Sequence, residues 1–199
     1  MYPLFETIRV FNGVPQHPKW HFQRMKAAWR ELWPSEKPVF NGSFPPVPVE
    51  FKTGVVRCNM RYGPGGFQAD FSPYEKRAIR SLKLAACDTI DYHLKYTDRS
   101  GIESLFALRG ECDDILVVKK GLLTDTSVSN IIFYDGTAWI TPKHPLLRGT
   151  CRQRLLESGR IREGEISPFD LRGFEGCRII SAMRPPEEEM IIPVSRIIP

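Results

Sequence analysis

Three short segments of the chain carry residue types that could act together in one kind of chemistry. Lys95 lies in the segment YHLKYTDR, Asp125 lies in GLLTDTSVSN, and Gly149 begins the run GTCR. An amine, a carboxylate and a turn with backbone N–H donors are what a protein needs to hold pyridoxal 5'-phosphate. No segment is persuasive alone, but the three together, in this order, predict a pyridoxal phosphate site.

Lys95 is the predicted catalytic amine and the predicted attachment point of the cofactor. Its neighbours Tyr92, Leu94 and Tyr96 are apolar or aromatic, and partial burial among such side chains favours the neutral amine over the ammonium ion. A neutral amine can attack an aldehyde carbon. A lysine in a loop is more often solvated, so this interpretation depends on the other two segments.

Asp125 is the predicted carboxylate opposite the cofactor ring. A carboxylate against the ring nitrogen keeps that nitrogen protonated, which makes the ring an electron sink. The small residues Thr126, Ser127 and Ser129 would let the chain approach a ring closely. The alternative is a turn residue whose side chain accepts local backbone hydrogen bonds.

Two features are candidates for binding the cofactor's phosphate. Gly149, Thr150 and Cys151 precede a predicted helix, whose free N–H groups and positive dipole end favour an anion. Arg24 lies on the first predicted helix and could add a bidentate grip. The alternatives are a plain helix cap at Thr150 and a solvated Arg24.

The hydrophobic pattern predicts the elements that would position these residues. Residues 5–14 alternate and meet Asn12-Gly13, which predicts a hairpin, and apolar residues over 21–33 have helical spacing up to Pro34. Further strands are predicted at 55–62, 67–71, 79–86, 114–119, 129–134, 137–141 and 177–183, and further helices at 99–109 and 149–158. We expect a small α/β lobe over 1–90 and a larger β-rich lobe over 91–199, with the cofactor between them.

The composition is that of an ordinary soluble globular protein. The chain has 199 residues, 42% of them hydrophobic and 26% charged, which is enough for one large domain or two small lobes. The net charge of +5 comes from scattered basic residues, so we expect a solvated surface and no nucleic-acid partner. The same charge would suit an anionic cofactor and a carboxylate substrate.

Features that would send the chain to a membrane or an oxidising compartment are missing from the sequence. No apolar run approaches the roughly 20 residues that span a bilayer, and the N-terminus lacks the basic and apolar regions of a signal peptide. The five cysteines include no CxxC pair, and the four histidines have no metal-ligand spacing. We therefore expect a cytoplasmic protein without a membrane partner, a disulfide framework or a metal.

Five segments together resemble the class IV aminotransferases, the fold-type IV pyridoxal phosphate enzymes. FETIR (5–9) with HFQR (21–24) resembles the opening strand and the helix that bears a phosphate-binding arginine. LKYTDR (94–99) is similar to the lysine segment of the aminodeoxychorismate lyases, where Lys-x-x-Asn-Arg is common. The others are LTDTSVSNIIF (123–133), which resembles the (Thr/Ser)-Glu…Asn-(Leu/Ile/Val)-Phe signature, LRGTCR (147–152), which resembles a Leu-x-Gly-Ile-Thr-Arg turn, and ISAM (180–183), which resembles a late strand near the phosphate.

This resemblance implies an α+β fold of two lobes with pyridoxal phosphate as the cofactor. Lys95 and Asp125 would be the catalytic residues, and Tyr96 and Arg99 would contact the substrate. The implied cofactor contacts come from Arg24, Lys95, Asp125, Asn130, Thr150, Cys151, Ser181, Ala182 and Met183. The family is typically dimeric, so the resemblance also implies a homodimer.

The chain departs from the family pattern at four points. Asp125 replaces a glutamate, Cys151 replaces a threonine, and Ser100 stands where many aminotransferases have a tyrosine. The family's first strands have no counterpart before Phe5, which implies a reduced N-terminal lobe. The resemblance leaves three activities open, with Arg99 favouring the first. They are a 4-amino-4-deoxychorismate lyase that eliminates pyruvate to give 4-aminobenzoate, a branched-chain or D-amino-acid aminotransferase, and a pyridoxal phosphate-binding homologue without turnover.

Overall fold

A computed structural model of the chain describes residues 2–199 as a mixture of strands and helices, in agreement with the predicted α+β class. Three α-helices are present among these residues: α1 (Pro18–Leu32), α2 (Ser100–Phe106) and α3 (Thr150–Glu157). The strands are β1 (Leu4–Phe11), β2 (Val14–Pro15), β3 (Val55–Gly63), β4 (Gly66–Pro73), β5 (Leu82–Ala86), β6 (Asp114–Lys119), β7 (Leu122–Thr126), β8 (Asn130–Tyr134), β9 (Trp139–Pro142), β10 (Arg162–Gly164), β11 (Gly176–Ile180), β12 (Ile192–Pro193) and β13 (Ile197–Ile198).

The chain forms two compact units, which we describe separately. Unit 1 contains residues up to Lys76 together with Leu94–Asp98, and unit 2 contains Arg77–His93 together with Arg99–Pro199. Lys95 therefore belongs to unit 1, and Asp125 belongs to unit 2. The division at residue 90 into two functional lobes stays a prediction.

Unit 1 is an antiparallel sheet with one face covered by a helix. Its strand order is β2-β1-β3-β4, and the buried residues of β1 alternate with half-exposed ones, as a one-sided sheet requires. The hairpin predicted at Asn12-Gly13 is confirmed, since both residues have the positive φ that this tight turn needs. Helix α1 begins at Pro18, three residues earlier than predicted, because a proline suits the first turn of a helix.

Unit 2 contains two sheets that share a buried core. One has the order β10-β9-β8-β11-β12 and the other β13-β5-β6-β7. Strands β7 and β8 are consecutive along the chain but belong to different sheets, and the short turn between them lies among the predicted site residues. None of the helices formed by residues 2–199 is long and apolar enough to cross a membrane.

Candidate active site

Lys95 lies in an extended segment that runs beside strand β1. Its carbonyl accepts the N–H of Phe5 at 3.0 Å, the next residue Tyr96 forms a bridge with Leu4, and the Thr97 N–H donates to Pro3 at 2.8 Å. The side-chain nitrogen of Lys95 lies 4.5 Å from the centroid of the Phe5 ring. The backbone around the predicted catalytic amine is thus fixed by β1, and Tyr96 packs on the core of the same unit.

Arg24, the predicted phosphate ligand, makes a buried ion pair that sequence analysis did not find. Its Nε donates to Oε1 of Glu6 at 2.8 Å, and its Nη2 donates to Oε2 at 2.6 Å. The ring of His21, one helical turn away, lies 2.7 Å from the same Oε2. The signal was present, because Glu6 is in phase with the buried residues Leu4 and Ile8 of an alternating strand.

The charges of this network are set by burial and pairing. Burial opposes ionisation of Glu6, but Arg24 and His21 outweigh it and hold the pKa of Glu6 at about 2. Burial lowers the pKa of His21, and the positive charges of Arg24 and Lys95 add to that effect against the opposing influence of Glu6. The carboxylate is therefore charged at neutral pH, and it holds the Arg24 guanidinium in a bidentate geometry.

The other face of the unit 1 sheet is polar and basic. In the register of β1 and β3, Thr7 lies opposite Asn59 and Arg9 lies opposite Arg57, and the Thr7 hydroxyl donates to Asn59 at 3.1 Å. Phe5, which contacts Lys95, is in phase with Thr7 and Arg9 on this face. Arg57 donates to the Ser72 hydroxyl, and Asp70, which lies opposite Asn59 on β4, pairs with Arg61 at 2.7 Å. Across strands β1 to β4 this face therefore carries three arginines and one aspartate.

A β-bulge in unit 2 positions Asp125. Strands β6 and β7 pair Leu116 with Thr126 and Val118 with Leu123, so the two residues Thr124 and Asp125 face a single residue, Val117. The Thr124 hydroxyl donates to the Val117 carbonyl at 3.0 Å and stabilises this irregularity. Bulges commonly re-aim a side chain beside a functional site.

Both carboxylate oxygens of Asp125 have defined partners. Nδ2 of Asn130 donates to Oδ1 at 2.8 Å, and the N–H of Leu147 donates to Oδ2 at 2.9 Å. Burial raises the pKa of Asp125 to about 6, although these donors and the charge of Arg152 oppose the rise. Two predicted site residues, Asp125 and Asn130, are therefore in direct contact.

Asn130 also explains the glycine of the turn that precedes α3. The same Nδ2 donates to the Leu147 carbonyl at 2.8 Å, and a Cβ atom built on Gly149 would lie 1.9 Å from the Asn130 Oδ1. A side chain at position 149 would therefore displace Asn130. The close approach ties the turn 147–149 to the two strands that carry Asp125 and Asn130.

The two predicted phosphate-binding segments lie near each other in unit 2. Helix α3 begins at Thr150, and its N-cap Gly149 provides no side-chain cap, so backbone N–H groups face the start of the helix. Burial raises the pKa of the Cys151 thiol, and this side chain packs in one buried cluster with Ile180. Ser181, which follows Ile180, closes a tight turn with Arg184 that contains Ala182 and Met183.

Arg99 makes protein contacts within unit 2. Its Nη1 donates to the Tyr92 hydroxyl at 3.1 Å, and its Nη2 donates to the Ser127 carbonyl at 2.8 Å. Its guanidinium carbon lies 5.5 Å from the centroid of the Tyr92 ring. The implied substrate contact from Arg99 stays a prediction. In the structure its guanidinium binds the Tyr92 hydroxyl and the Ser127 backbone.

The site residues thus fall into two groups. In unit 2 the structure brings Asp125 together with Asn130 and the turn at Gly149. Cys151 packs in the same buried cluster as Ile180, the residue before Ser181. Unit 1 holds Lys95, Tyr96 and Arg24, with Glu6 and His21 as the additions that sequence analysis missed. Leu147 was also missed, since its contribution is a backbone N–H that no residue type reveals.

The comparisons with known proteins place this geometry in a family. The chain belongs to the amino-transferase class IV family, whose pattern matches residues 3–197. An uncharacterized protein of Haemophilus influenzae is 40% identical over 185 residues, which cover 92% of this chain and 98% of the relative.

Solved structures support the fold. A candidate 4-amino-4-deoxychorismate lyase from Haemophilus somnus has a TM-score of 0.82 and 33% identity, covering 92% of this chain and 97% of its own. The pyridoxal phosphate-bound form of a hypothetical aminotransferase from Mycobacterium tuberculosis has a TM-score of 0.70 and 18% identity, covering 96% of this chain and 80% of its own. The predicted fold-type IV architecture is confirmed.

Proposed function

We propose that this protein is a pyridoxal phosphate enzyme that eliminates pyruvate from 4-amino-4-deoxychorismate to give 4-aminobenzoate. The observation that carries the proposal is the buried Asp125 carboxylate, which Asn130 and Leu147 hold from its two sides. Its support from relatives is membership of the class IV family and the similarity to a candidate lyase of nearly the same length.

The residues present fit the cofactor. Pyridoxal phosphate needs an amine, an acid for its ring nitrogen and donors for its phosphate. Lys95 offers the amine, Asp125 offers the acid, and Arg24 and the start of α3 offer the phosphate donors. Asp125 is one methylene shorter than the family's glutamate, and the bulge at Thr124 and Asp125 is the feature that would compensate for the shorter reach.

Each residue would have a separate task. Bound pyridoxal phosphate supplies an electron sink for the carbanion that forms next to the substrate amine. Lys95 would bind the cofactor and then take the proton from the carbon that carries the amine. Asp125 would keep a proton on the ring nitrogen. Loss of pyruvate makes the substrate ring aromatic, which drives the step forward.

The basic face of unit 1 supports an anionic substrate. Arg9 and Arg57 are directly opposed on β1 and β3, with Thr7 and Asn59 as neutral hydrogen-bonding groups in the next register position. 4-Amino-4-deoxychorismate carries carboxylates, which guanidinium groups bind well. We propose that this pair contributes to substrate binding.

An aminotransferase is the second candidate function, because the matching family is named for that activity. In that case the same residues would return the proton to the cofactor and pass the amino group to a 2-oxo acid. The homodimer and the cytoplasmic location also stay predictions.

The test begins with a visible spectrum of the purified protein, where the band of lysine-bound pyridoxal phosphate is expected in the wild type and lost in Lys95→Ala. The holoenzyme is then assayed for pyruvate release from 4-amino-4-deoxychorismate and, in parallel, for amino-group transfer from branched-chain and D-amino acids to a 2-oxo acid. Pyruvate release supports the lyase, and transfer alone would replace it with the aminotransferase. A cofactor band without either activity would identify a binding homologue without turnover.

A further inference from the structure

We propose that Arg99 and Asp114 are positioning residues that hold the turn between Asp125 and Asn130 from its two sides. The proposal rests on the proposed function, because it concerns how the candidate catalytic carboxylate is kept in place. It gives Arg99 a task on the protein's own backbone instead of the substrate contact that the resemblance implied.

The turn between β7 and β8 is short, and its residues Thr126, Ser127 and Ser129 are buried. The Thr126 N–H donates to the Ser129 carbonyl at 2.9 Å, and the Ser129 N–H donates to the Thr126 hydroxyl at 3.2 Å. Val128 at its tip is 56% exposed. Asp125 and Asn130 lie directly before and after this turn, so a displacement of the turn would move both.

Ser127 is held at both of its backbone polar groups. Its carbonyl accepts the Nη2 of Arg99 at 2.8 Å. Its N–H donates to Oδ1 of Asp114 at 3.4 Å, which is a long hydrogen bond. A residue held on both sides cannot rotate its peptide groups without breaking at least one of these bonds.

The Arg99 guanidinium is oriented for this contact. Tyr92, which is buried, accepts a hydrogen bond from Nη1 through its hydroxyl and lies against the guanidinium with its ring. A planar guanidinium with an aromatic ring 5.5 Å away and two fixed acceptors has little freedom left. Arg99 can therefore act as a rigid donor to the Ser127 carbonyl.

Asp114 is a carboxylic acid in a fully buried position. It is fully buried at the start of β6, its Oδ1 accepts the N–H of Ile115 at 2.7 Å, and its Oδ2 has no hydrogen-bond partner among residues 2–199. Burial raises its pKa. Burying such a group costs stability, so its place beside the Ser127 backbone points to a positioning task.

The first test is amide exchange in the apo-protein. Arg99→Ala and Asp114→Ala should speed exchange at the backbone N–H groups of Thr126 and Ser129 by about 10- to 100-fold, since each removes a hydrogen bond to a charged or buried group. Asp114→Asn should stay near the wild type, because its side-chain oxygen can still accept the Ser127 N–H.

Matched controls are available in the same region. Arg109→Ala removes a guanidinium that contacts Phe106, and Asp113→Ala removes a carboxylate that accepts the N–H groups of Arg80 and Ser81. Both should leave exchange in the turn unchanged. If Arg99→Ala does not fold, Arg99→Lys and Tyr92→Phe should give intermediate exchange rates, because each removes part of the guanidinium's contacts.

The second test is steady-state kinetics of the holoenzyme. Arg99→Ala should lower kcat by about tenfold or more and change KM by less than about threefold, since a positioning residue acts on the carboxylate and not on substrate binding. A rise in KM at unchanged kcat, with wild-type exchange in the turn, would assign Arg99 to the substrate and overturn the proposal.

The two tests separate this proposal from the proposed function. Amide exchange needs no cofactor, so a wild-type protein without a pyridoxal phosphate band would defeat the proposed function while the exchange rates still decided whether the turn is held. Wild-type exchange in both alanine variants would overturn the positioning role even in an active enzyme.

Discussion

The side-chain amide of Asn130 donates to Oδ1 of Asp125 at 2.8 Å and to the Leu147 carbonyl at the same distance. The Leu147 N–H in turn donates to the other oxygen of Asp125. These bonds form a closed network among two strands and one turn. The orientation of the candidate catalytic carboxylate therefore depends on the side-chain amide of Asn130, five residues further along the chain. It also depends on the backbone N–H of Leu147, which is distant from both residues in sequence.

Asn130→Ala is expected to destabilise the apo-protein by about 1–3 kcal/mol and to weaken pyridoxal phosphate binding, because it leaves Oδ1 of the buried Asp125 without its donor. Urea unfolding and a cofactor titration measure the two effects. Asn41→Ala is the control, since that residue is exposed and its side chain accepts the Ser43 N–H at 2.9 Å. Unchanged cofactor affinity in Asn130→Ala would show that Asp125 does not need this partner.

Gly149→Ala is expected to destabilise the protein by about 1–3 kcal/mol, because the new Cβ would force the Asn130 side chain from its place. Gly149→Ala should also weaken pyridoxal phosphate binding, because displaced Asn130 no longer holds Asp125. Gly101→Ala is the matched control, since a Cβ there meets nothing within 4 Å and the residue lies inside α2. That variant should be stabilised by up to about 1 kcal/mol, and thermal unfolding compares the two.

The local elements were predictable from sequence because their signals are local. Asn12-Gly13 specifies its own turn, and the apolar spacing over 21–33 identifies α1 to within a few residues. The order of Lys95, Asp125 and Gly149 predicted a pyridoxal phosphate site, and five segments together indicated the family. The strand phase of Glu6 marks it as a buried carboxylate but does not identify Arg24 as its partner. The pairing of Asp125 with Leu147 was not predictable, since it is a contact between residues distant in sequence. The bulge at Asp125 arises from pairing with Val117, which leaves no mark in β7 itself.

Asp125→Asn is expected to change how stability depends on pH. The pKa of Asp125 rises from 3.8 to about 6 on folding, so the folded state binds more protons between these values and the wild type loses up to about 3 kcal/mol as pH rises through this window. The variant lacks this loss. Its stability relative to the wild type should therefore increase from about pH 4 to about pH 6 and then level off, as measured by urea unfolding of the apo-proteins.

A second aspartate variant provides the opposite sign as a control. The backbone N–H of Arg80 and the groups of Ser81 lower the pKa of Asp113, so the wild type gains stability as pH rises through the range below the ordinary pKa of an aspartate. Asp113→Asn should therefore lose stability relative to the wild type over that range and level off above it. In the holoenzyme, Asp125→Asn should retain the cofactor and lose about one to two decades of turnover. A pH profile of Asp125→Asn identical to that of the wild type would mean that the carboxylate is not buried as the structure shows.

Lys95 is expected to be the residue that binds the cofactor covalently. Its carbonyl accepts the Phe5 N–H, and two residues later the Thr97 N–H donates to the Pro3 carbonyl. These bonds fix the backbone beside β1 and give the amine a defined position. Borohydride reduction in the presence of pyridoxal phosphate, followed by peptide mapping, should place the pyridoxyl group on it. Lys119, Lys120 and Lys143 serve as internal controls, and a label on any of them instead of Lys95 would defeat the assignment.

Arg24→Ala is expected to weaken pyridoxal phosphate binding by roughly 2–4 kcal/mol, since it removes a charge-assisted contact to the phosphate. It also leaves the buried Glu6 carboxylate without its main partner, so apo-protein stability must be measured alongside affinity. Glu6→Gln separates the two effects, because it keeps the Arg24 charge but removes the bidentate acceptor that orients it. We expect its cofactor affinity to lie between the wild type and Arg24→Ala.

Cys151→Ala is the contrasting variant for the phosphate, and it should retain the cofactor. The proposed contribution of position 151 is a backbone N–H at the start of α3, and alanine keeps that donor. Its side chain packs beside Ile180, so a modest loss of stability is expected without a matching loss of affinity. Titration of each apo-variant with pyridoxal phosphate compares the two. Wild-type affinity in Arg24→Ala together with loss of binding in Cys151→Ala would overturn the proposed phosphate site and the alignment of α1 on which Arg24 depends.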